Sequence, residues 1–319
     1  MPQVETLRGL IDTAQLGFTL MHEHVFALSQ GVQENFPSVW NEEEEIASAK
    51  AKLRELAGLG VQTIVDLTVL GLGRDIPRLL HAAGDIPLQV IVATGIYAYS
   101  DDELPRYFRN RDVDVMAELF VRDITEGIQG TAVKAAILKC ATDEPGVTPG
   151  VEKVLRAVAR AHRRTGAPIS THTHVATRRG LEQQDIFQQE GVDLGRVVIG
   201  HSGDSEDLEY LQEIMKRGSY IGMDRFGVDR YLSTEKRVAT IARLCELGHA
   251  GQMVLSHDAS CHFDWYPAEP LRNAMPNWHY RHISEVVLPA LRASGVSEDQ
   301  IRQMTVESPR RYFERSGGY

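Results

Sequence analysis

The stretch KAAILKCATDEPGVTPGVEKVLRAVARAHRRTGAPISTH (residues 134–172) contains one complete structural unit. It opens with an apolar run, Lys134–Cys140, which is followed by a segment whose apolar residues recur three and four positions apart, Val151–Thr165. That spacing is typical of an amphipathic helix, and a second apolar run, Pro168–His172, comes after it. Two short apolar runs joined through a helix predict a βαβ unit with parallel strands.

The same alternation of strand and helix recurs along nearly the whole chain. Eight apolar runs are predicted to be strands: Phe18–His22, Thr63–Thr68, Leu88–Thr94, Lys134–Cys140, Pro168–His172, Arg196–His201, Tyr220–Asp224 and Met253–Asp258. Eight such units predict an α/β fold, the (β/α)8 TIM barrel. The alternative is a doubly wound open sheet, but no GxGxxG motif follows the first strand. Because no linker or low-complexity tract divides the chain, a single domain spanning residues 1–319 is expected.

The composition argues against several classes of partner. A formal net charge of −10 disfavours nucleic acid, since binding to phosphates needs clustered Lys and Arg. No run approaches ~18 consecutive apolar residues, so no membrane span is expected. The N-terminal residues lack the pattern of a secretory signal, and the three cysteines form no CxxC pair. We therefore expect a cytoplasmic protein that acts on a small molecule.

Several predicted strands end in residues that can bind metal. In a TIM barrel the active site lies at the C-terminal ends of the strands. The first strand runs into His22 and His24, which share one strand face because side chains alternate with period two. Two imidazoles on one face can share a metal ion, but the pair alone is equally compatible with solvated loop histidines.

Three further strands end in His or Asp. The fifth ends at His172, with His174 two residues later on the same face, the sixth ends at His201, and the eighth ends at His257 and Asp258. A single terminal histidine is more often a hydrogen-bonded structural group than a ligand, whereas three such strand ends are harder to attribute to chance. Imidazole and carboxylate groups are the ligands preferred by Zn²⁺, Co²⁺, Mn²⁺ and Fe²⁺.

The fourth strand carries a lysine, Lys139, on the same face as Ala135 and Ile137. A bare ammonium pointing into the barrel would be costly without a partner. One interpretation is a lysine paired with an acid inside the barrel. The other is that burial and nearby cations lower its pKa, so that the neutral amine captures CO₂ and becomes a carbamate with two oxygens.

With these residues in place, the sequence resembles the amidohydrolase superfamily and, within it, the phosphotriesterase-like lactonases. The likeness covers essentially the whole chain. It is carried by TLMHEHVF (19–26), VDLTVLGLGRDIPRL (65–79), VATGIYAY (92–99), FVRDITEGIQGT (120–131), ILKCATDEPGVT (137–148), PISTHT (168–173), GLEQQDIF (180–187), VIGHSGDS (198–205), IGMDRFG (221–227) and VLSHD (254–258).

The resemblance implies two divalent metal ions, Zn, Co, Fe or Mn. It implies that three side chains bind the more buried ion: His22, His24 and Asp258. It implies that His172, rather than His174, joins His201 at the more exposed ion. It also implies that Lys139, carboxylated by CO₂, bridges the two. His257 neighbours Asp258 and is expected to point away from the metals in a structural role.

The resemblance also implies a substrate pocket and a reaction. Tyr97 and Arg225 would orient a lactone near the nucleophile, and Asp258 would act as general base and then general acid. The further pocket residues are expected to be Phe26, Tyr99, Cys261 and Trp265. The implied reaction is the opening of lactone rings, N-acyl-homoserine lactones among them, as in quorum quenching, with secondary phosphotriesterase activity. A homodimer is implied as well.

Three alternatives stay open at this point. The first is a dedicated phosphotriesterase (an aryldialkylphosphatase), and the second is a hydrolase of amides or N-acyl amino acids. The third is a non-catalytic barrel that keeps its metal ligands for binding or structure.

Overall fold

The computed structural model describes residues 1–314 and 317–319 and contains the predicted barrel. An antiparallel hairpin precedes it, formed by β1 (Gln3–Thr6) and β2 (Gly9–Asp12). The strands of the parallel sheet are β3 (Thr19–Ala27), β4 (Thr63–Asp66), β5 (Gln89–Gly95), β6 (Ile137–Thr142), β7 (Ile169–Thr173), β8 (Val197–Ile199), β9 (Tyr220–Met223), β10 (Met253–Leu255) and β11 (Ser260–Phe263). The prediction of a (β/α)8 fold is confirmed.

The sheet closes on itself through its last two strands. β10 pairs with β9 and β11 pairs with β3, and the chain runs from β10 to β11 through residues 256–259. At this join Asp258 N donates to His22 O over 3.0 Å, and His24 N donates to Ala259 O over 2.9 Å. The eighth barrel strand is therefore broken in two, whereas the sequence predicted one continuous strand ending at Asp258. The break coincides with the left-handed backbone of Asp258, whose φ is 55°.

Helices cover the outside of the sheet. They are α1 (Val32–Asn35), α2 (Glu42–Gly58), α3 (Ile76–Ala83), α4 (Arg106–Arg109), α5 (Val113–Thr125), α6 (Pro149–Thr165), α7 (Arg179–Gln189), α8 (Leu208–Lys216), α9 (Thr234–Glu246), α10 (Ala268–Ala274), α11 (Leu288–Ala293), α12 (Glu298–Arg302) and α13 (Ser308–Glu314). Two π-helical segments, Ile283–Val287 and Gln303–Glu307, precede α11 and α13. Within residues 1–314 and 317–319, no helix is both long enough and apolar enough to cross a membrane.

Local sequence explains where α6, the helix of the βαβ unit in residues 134–172, begins and ends. The side chain of Thr148 caps α6 by accepting from Val151 N, and Pro149 occupies the first turn, where its missing N–H costs no hydrogen bond. Gly166 follows the last turn with φ 76°, a left-handed conformation that glycine adopts without steric cost.

Apolar side chains fill the barrel and close its N-terminal end. Met21, Val65, Ile91 and Ile137, which lie on neighbouring strands, belong to one buried cluster. The same cluster includes Val4 of the hairpin, Leu16, and Tyr312 and Phe313 of α13. With this end packed, the polar residues of the barrel strands are left to the opposite, C-terminal end.

Gly95 allows β5 and β6 to approach closely beside Lys139. Its φ is 145°, and a Cβ built on it would lie 1.9 Å from Lys139 O, inside any allowed contact. We expect Gly95→Ala to lower the free energy of unfolding by about 1–3 kcal/mol, because the added methyl overpacks the sheet. Urea denaturation measures this change. Gly9→Ala is the matched control, since Gly9 also has positive φ but no atom within 4 Å of the added carbon. Equal losses in the two variants would contradict the steric explanation.

Candidate metal centre

The six predicted ligand positions meet at the C-terminal end of the barrel. His22 and His24 lie on β3, Lys139 on β6, His172 on β7, His201 directly after β8, and Asp258 between β10 and β11. Five of the six side chains are buried, and that of Asp258 is 17% exposed. Residues that are up to 236 positions apart in the chain thus converge because the ends of parallel strands share one edge of the barrel.

Nitrogen and oxygen atoms of these side chains face one another at the spacing of metal ligands. Asp258 Oδ1 lies 3.3 Å from His22 Nε2 and 3.2 Å from His24 Nε2. A tetrahedral ion with bonds of about 2.0–2.2 Å separates its ligand atoms by about 3.3–3.6 Å. His201 Nε2 lies 2.9 Å from His172 Nδ1, and Lys139 Nζ lies 3.1 Å from His22 Nε2.

The second ring nitrogen of each imidazole is held by another side chain. Asp224 binds two of them, since its carboxylate oxygens lie 3.0 Å from His22 Nδ1 and 3.0 Å from His201 Nδ1. Metal-binding histidines characteristically donate their other N–H to a carboxylate or similar acceptor, which fixes the tautomer and the ring orientation. The two remaining contacts are His24 Nδ1 with Thr68 Oγ1 (2.9 Å) and His172 Nε2 with Asp143 Oδ2 (2.6 Å).

The grouping His22, His201 and Asp224 also satisfies a simple spacing test for metal binding. However, the oxygens of Asp224 are already hydrogen-bonded to the outer nitrogens of both histidines and, through Oδ1, to His201 N at 2.8 Å. We therefore interpret Asp224 as the group that orients these two imidazoles, and the grouping His22, His24 and Asp258 as the one that fits an ion.

Two of the four described non-glycine residues with left-handed backbone are predicted ligands. His201 and Asp258 both have left-handed backbone, with φ of 58° and 55°. For residues with a Cβ this conformation costs about 1 kcal/mol or more and is retained where the surroundings enforce it. Here the N–H of His201 is held by Asp224, and that of Asp258 by the carbonyl of His22. The hydrogen bonds that hold this strained backbone therefore involve another predicted ligand, His22, or Asp224, which contacts two of the imidazoles.

Burial keeps three of the predicted imidazole ligands in their metal-binding form. It lowers the pKa of His172 to about 4 and that of His201 well below its ordinary 6.5. The pKa of His22 is lowered as well, first by burial and then by the charge of Lys139. These imidazoles are therefore neutral near pH 7, with a lone pair available for a metal.

Lys139 is the least expected of these groups. It is 1% exposed, and burial lowers the pKa of its amine from 10.5 to about 8. Its Nζ contacts His22 Nε2 and, at 3.4 Å, Thr171 O. Among the described residues no carboxylate lies within ion-pair distance of Nζ, although Asp258 and Asp224 are near enough to offset part of the lowering of its pKa. The interpretation of a lysine paired directly with an acid is therefore disfavoured.

A cavity of about 260 Å³ opens onto the centre. Tyr97, Tyr99, Arg225 and Trp265 line it, as expected from the sequence. The Tyr97 hydroxyl lies 3.5 Å from His172 Nδ1, and Arg225 Nε donates to Asp258 Oδ2 over 3.1 Å. Additional lining comes from Leu72, Val228, Arg230, Tyr231, Phe263, Tyr266, Leu271, Met275 and Trp278. All of these additional residues except Arg230 are apolar or aromatic, so the wall combines polar and apolar side chains.

Two predicted pocket residues do not line this cavity, and the expectation for them is corrected. Phe26 packs against Trp40 with a ring distance of 5.9 Å, and Cys261 is buried with its Sγ 3.5 Å from the Tyr280 hydroxyl. On β3, Ala27 rather than Phe26 reaches the cavity, so the alternation of side chains is interrupted after His24. On β11, Ser260 lines the cavity, and Cys261 as the next residue points to the opposite face, as regular alternation requires.

The remaining histidines of the motifs lie away from the centre. His174 bonds to Thr177 on the loop after β7, so of the two candidates on that strand it is His172 that joins the cluster. His257 Nδ1 lies 2.6 Å from Glu23 Oε1, and its Nε2 accepts from Ile283 N over 3.0 Å. Its expected structural placement, with its side chain on the opposite face from Asp258, agrees with these contacts.

The sequence prediction missed the carboxylates that orient the ligands. Asp224 ends the predicted seventh strand, and Asp143 follows the fourth. Their signal was the same as for the ligands, namely a polar residue at the C-terminal end of a strand. What the sequence could not show is that Asp224 lies between two imidazoles rather than among the inner atoms.

Comparison with known proteins identifies the family. A profile of the phosphotriesterase family matches residues 2–313. The chain belongs to the phosphotriesterase family. This confirms the family resemblance, and the chain is a hydrolase whose family acts on small-molecule esters through a metal centre of the kind that these His and Asp side chains fit.

Relatives within the phosphotriesterase family match over nearly the full chain. A phosphotriesterase homology protein of Mycobacterium tuberculosis is 58% identical, with 100% of both chains covered. An aryldialkylphosphatase of Saccharolobus solfataricus is 43% identical, with 95% of this chain and 96% of that protein covered. A solved structure of the phosphotriesterase from Mycobacterium tuberculosis matches with a TM-score of 0.97 at 57% identity, covering 100% of both chains.

Asp224→Asn tests whether Asp224 orients both the His22 and the His201 imidazole. The amide offers one acceptor oxygen where the carboxylate offers two, so one imidazole loses its orienting partner. We expect metal affinity to fall roughly 10- to 100-fold, measured by competition with a chelator. Asp185→Asn, which breaks an exposed pair with Arg217, is the matched control. Unchanged affinity in Asp224→Asn would show that Asp224 does not orient the ligands.

Proposed function

We propose that this chain is a metal-dependent lactonase that opens N-acyl-homoserine lactones and related rings, with secondary phosphotriesterase activity. The observation that carries the proposal is the convergence of Tyr97 and Arg225 on the two sides of the ligand cluster. The Tyr97 hydroxyl reaches the His172 side, and the Arg225 guanidinium reaches the Asp258 side. A ring bound between them would meet a phenol and a guanidinium, and the apolar and aromatic residues of the cavity wall would contact an acyl chain.

The proposed cofactors are a pair of divalent ions, Zn, Co, Fe or Mn. His22, His24 and Asp258 would hold one ion and His172 with His201 the other, with Lys139 as a carbamate between them. When bound, such a pair polarises a carbonyl and lowers the pKa of water, so that no nucleophilic side chain is needed. The depressed pKa of Lys139 supports carboxylation, because a neutral amine is the form that reacts with CO₂.

Asp258 is the proposed proton carrier. Burial raises its pKa, but interactions with His22, His201 and His24 and the fixed charge of Arg225 together lower the pKa well below its ordinary value. The carboxylate is therefore ionised and accepts the proton of the attacking water. It then returns the proton to the ring oxygen that leaves, which makes it general base and general acid in turn.

Tyr97 and Arg225 are proposed to orient the substrate. Burial raises the pKa of Tyr97 well above 10, so the phenol keeps its proton and donates a hydrogen bond. Arg225 holds a fixed positive charge beside Asp258 and stabilises the negative charge that develops on the substrate. Tyr99 and Trp265 extend the aromatic wall, with the Trp265 ring 6.0 Å from that of Tyr97.

A second candidate function is that of a dedicated phosphotriesterase. It is favoured by the relative named aryldialkylphosphatase, and by the tetrahedral phosphorus centre, which resembles the intermediate of lactone hydrolysis. More distant relatives, 25% identical, are named N-acetyltaurine hydrolase, which keeps an amide substrate as a third candidate.

We further propose that residues 1–319 form one hydrolase domain and that the protein is a cytoplasmic homodimer. The domain proposal is supported by the family match to residues 2–313. The compartment is supported by Cys140, Cys245 and Cys261, which are all free and buried. The dimer follows from the family resemblance.

Substrate preference tests the proposal directly. The metal-loaded protein is assayed for kcat/KM on an N-acyl-homoserine lactone, on paraoxon and on N-acetyltaurine under identical conditions. We expect the lactone to give the highest value, because Tyr97 and Arg225 meet its ring, with paraoxon turned over more slowly. A higher kcat/KM on paraoxon would replace the lactonase by the phosphotriesterase, and a higher value on N-acetyltaurine would replace it by an amidase.

A further inference from the structure

Arg237 is the largest of the fully buried side chains, although it lies on helix α9 outside the barrel. A guanidinium taken out of water costs free energy unless its donors and its charge are satisfied. Its surroundings therefore indicate why the protein places a cation there.

The Arg237 guanidinium binds three carbonyls in two loops of the C-terminal face. Nη1 donates to Gly203 O over 2.7 Å, in the turn that follows His201. Nε donates to Leu232 O over 2.9 Å and Nη2 to Val228 O over 3.3 Å. The latter two belong to residues 228–232, which we call the mouth segment because Val228, Arg230 and Tyr231 of this segment line the cavity.

A line of alternating charges leads from Arg237 to the metal centre. Arg237 Nη2 lies 2.6 Å from Asp204 Oδ1, and the other oxygen of Asp204 lies 3.1 Å from Arg225 Nη1. Arg225 Nε in turn lies 3.1 Å from Asp258 Oδ2. These side chains are between 1% and 17% exposed, so solvent screens their charges little.

The mouth segment holds Arg225 from a second direction. The Arg225 guanidinium lies over the ring of Tyr231, 5.0 Å from its centroid, and Tyr231 lies between the two mouth-segment carbonyls that Arg237 binds. Arg225 is thus in contact with a carboxylate and a ring whose positions both depend on Arg237. A lysine could not reproduce this arrangement, because it lacks the planar fork of donors.

We infer that Arg237 is a positioning residue for the reaction: through Asp204 and the mouth segment it holds the Arg225 guanidinium against Asp258 and the substrate. This inference rests on the roles proposed above for Arg225 and Asp258. It extends the functional site to a side chain that touches neither substrate nor metal ligand.

Arg237→Met and Arg237→Lys test the inference in the full, metal-loaded protein. We expect kcat of Arg237→Met to fall roughly 10- to 100-fold, the cost of a small misplacement of reacting groups. KM changes less, and metal content per chain is unchanged. Arg237→Lys keeps the positive charge but lacks the planar set of guanidinium donors, so we expect a smaller loss of kcat. It replaces Arg237→Met in the assay if the methionine variant does not fold. Arg243→Met, at an exposed position of the same helix, is the matched control.

A double-mutant cycle separates positioning from general stability. Asp204→Asn is expected to lower kcat on its own, and the double variant with Arg237→Met should be no slower than the worse of the two singles. Wild-type kcat per metal-loaded chain in Arg237→Met or Arg237→Lys, or fully additive losses in the cycle, would overturn the inference.

The substrate used for these assays keeps the two proposals distinguishable. All variants are measured on whichever of the lactone and paraoxon the wild-type protein turns over faster. A wild-type protein that prefers paraoxon contradicts the lactonase proposal but still allows the Arg237 cycle to be measured. Unchanged kcat in the Arg237 variants contradicts the positioning role whatever the substrate.

Discussion

A lysine that is buried at the end of a barrel must find an anion, lose its proton or become an anion itself. Lys139 is 1% exposed and faces an imidazole nitrogen and a carbonyl rather than an acid. Burial lowers its pKa to about 8, which makes the neutral amine accessible near pH 7. Around it stand four imidazoles and one carboxylate, and Asp258 Oδ1 lies 3.3 Å from His22 Nε2 and 3.2 Å from His24 Nε2, about as far as the ligands of one ion. The surrounding residues have to hold the amine, the imidazoles and the carboxylate in these positions.

The residues behind the ligands keep this arrangement in place. Asp224 joins β9 to imidazoles from β3 and β8, so three separate strands are tied by one carboxylate. On the other side of the centre, Asp204 and Arg237 connect the mouth segment to the Arg225 guanidinium, which lies beside Asp258. Asp224 and the pair of Asp204 and Arg237 are all buried charged groups. A buried charge that loses its partner costs free energy, so these contacts are hard to break. The proposed function therefore extends to residues outside the group that would touch a metal.

The strand ends could be predicted from the sequence because buried strands appear as short apolar runs and helices as apolar residues three and four positions apart. Apolar runs and helical spacing indicate a barrel, and the barrel requires that His22, Lys139 and His201 meet at one end. The choice of His172 over His174 came from the family resemblance, since both lie on one strand face. The rest depends on local departures from regular geometry. Phe26 points away from the cavity because alternation is interrupted after His24, which no periodicity reveals. Cys261 points away because it directly follows Ser260, which lines the cavity, so regular alternation places it on the opposite face. Arg237 falls on a helix, where an arginine is ordinarily solvated.

Metal content measured on the purified wild-type protein and on Lys139→Ala tests the central claim most directly. With bicarbonate and a divalent metal supplied, the wild-type chain should retain about two ions by plasma mass spectrometry. Lys139→Ala should lose bound metal together with activity, and a short carboxylate such as propionate should restore part of both. A Lys139→Ala protein that keeps the full metal content and activity, or a wild-type protein that works undiminished after complete demetallation, would contradict the account.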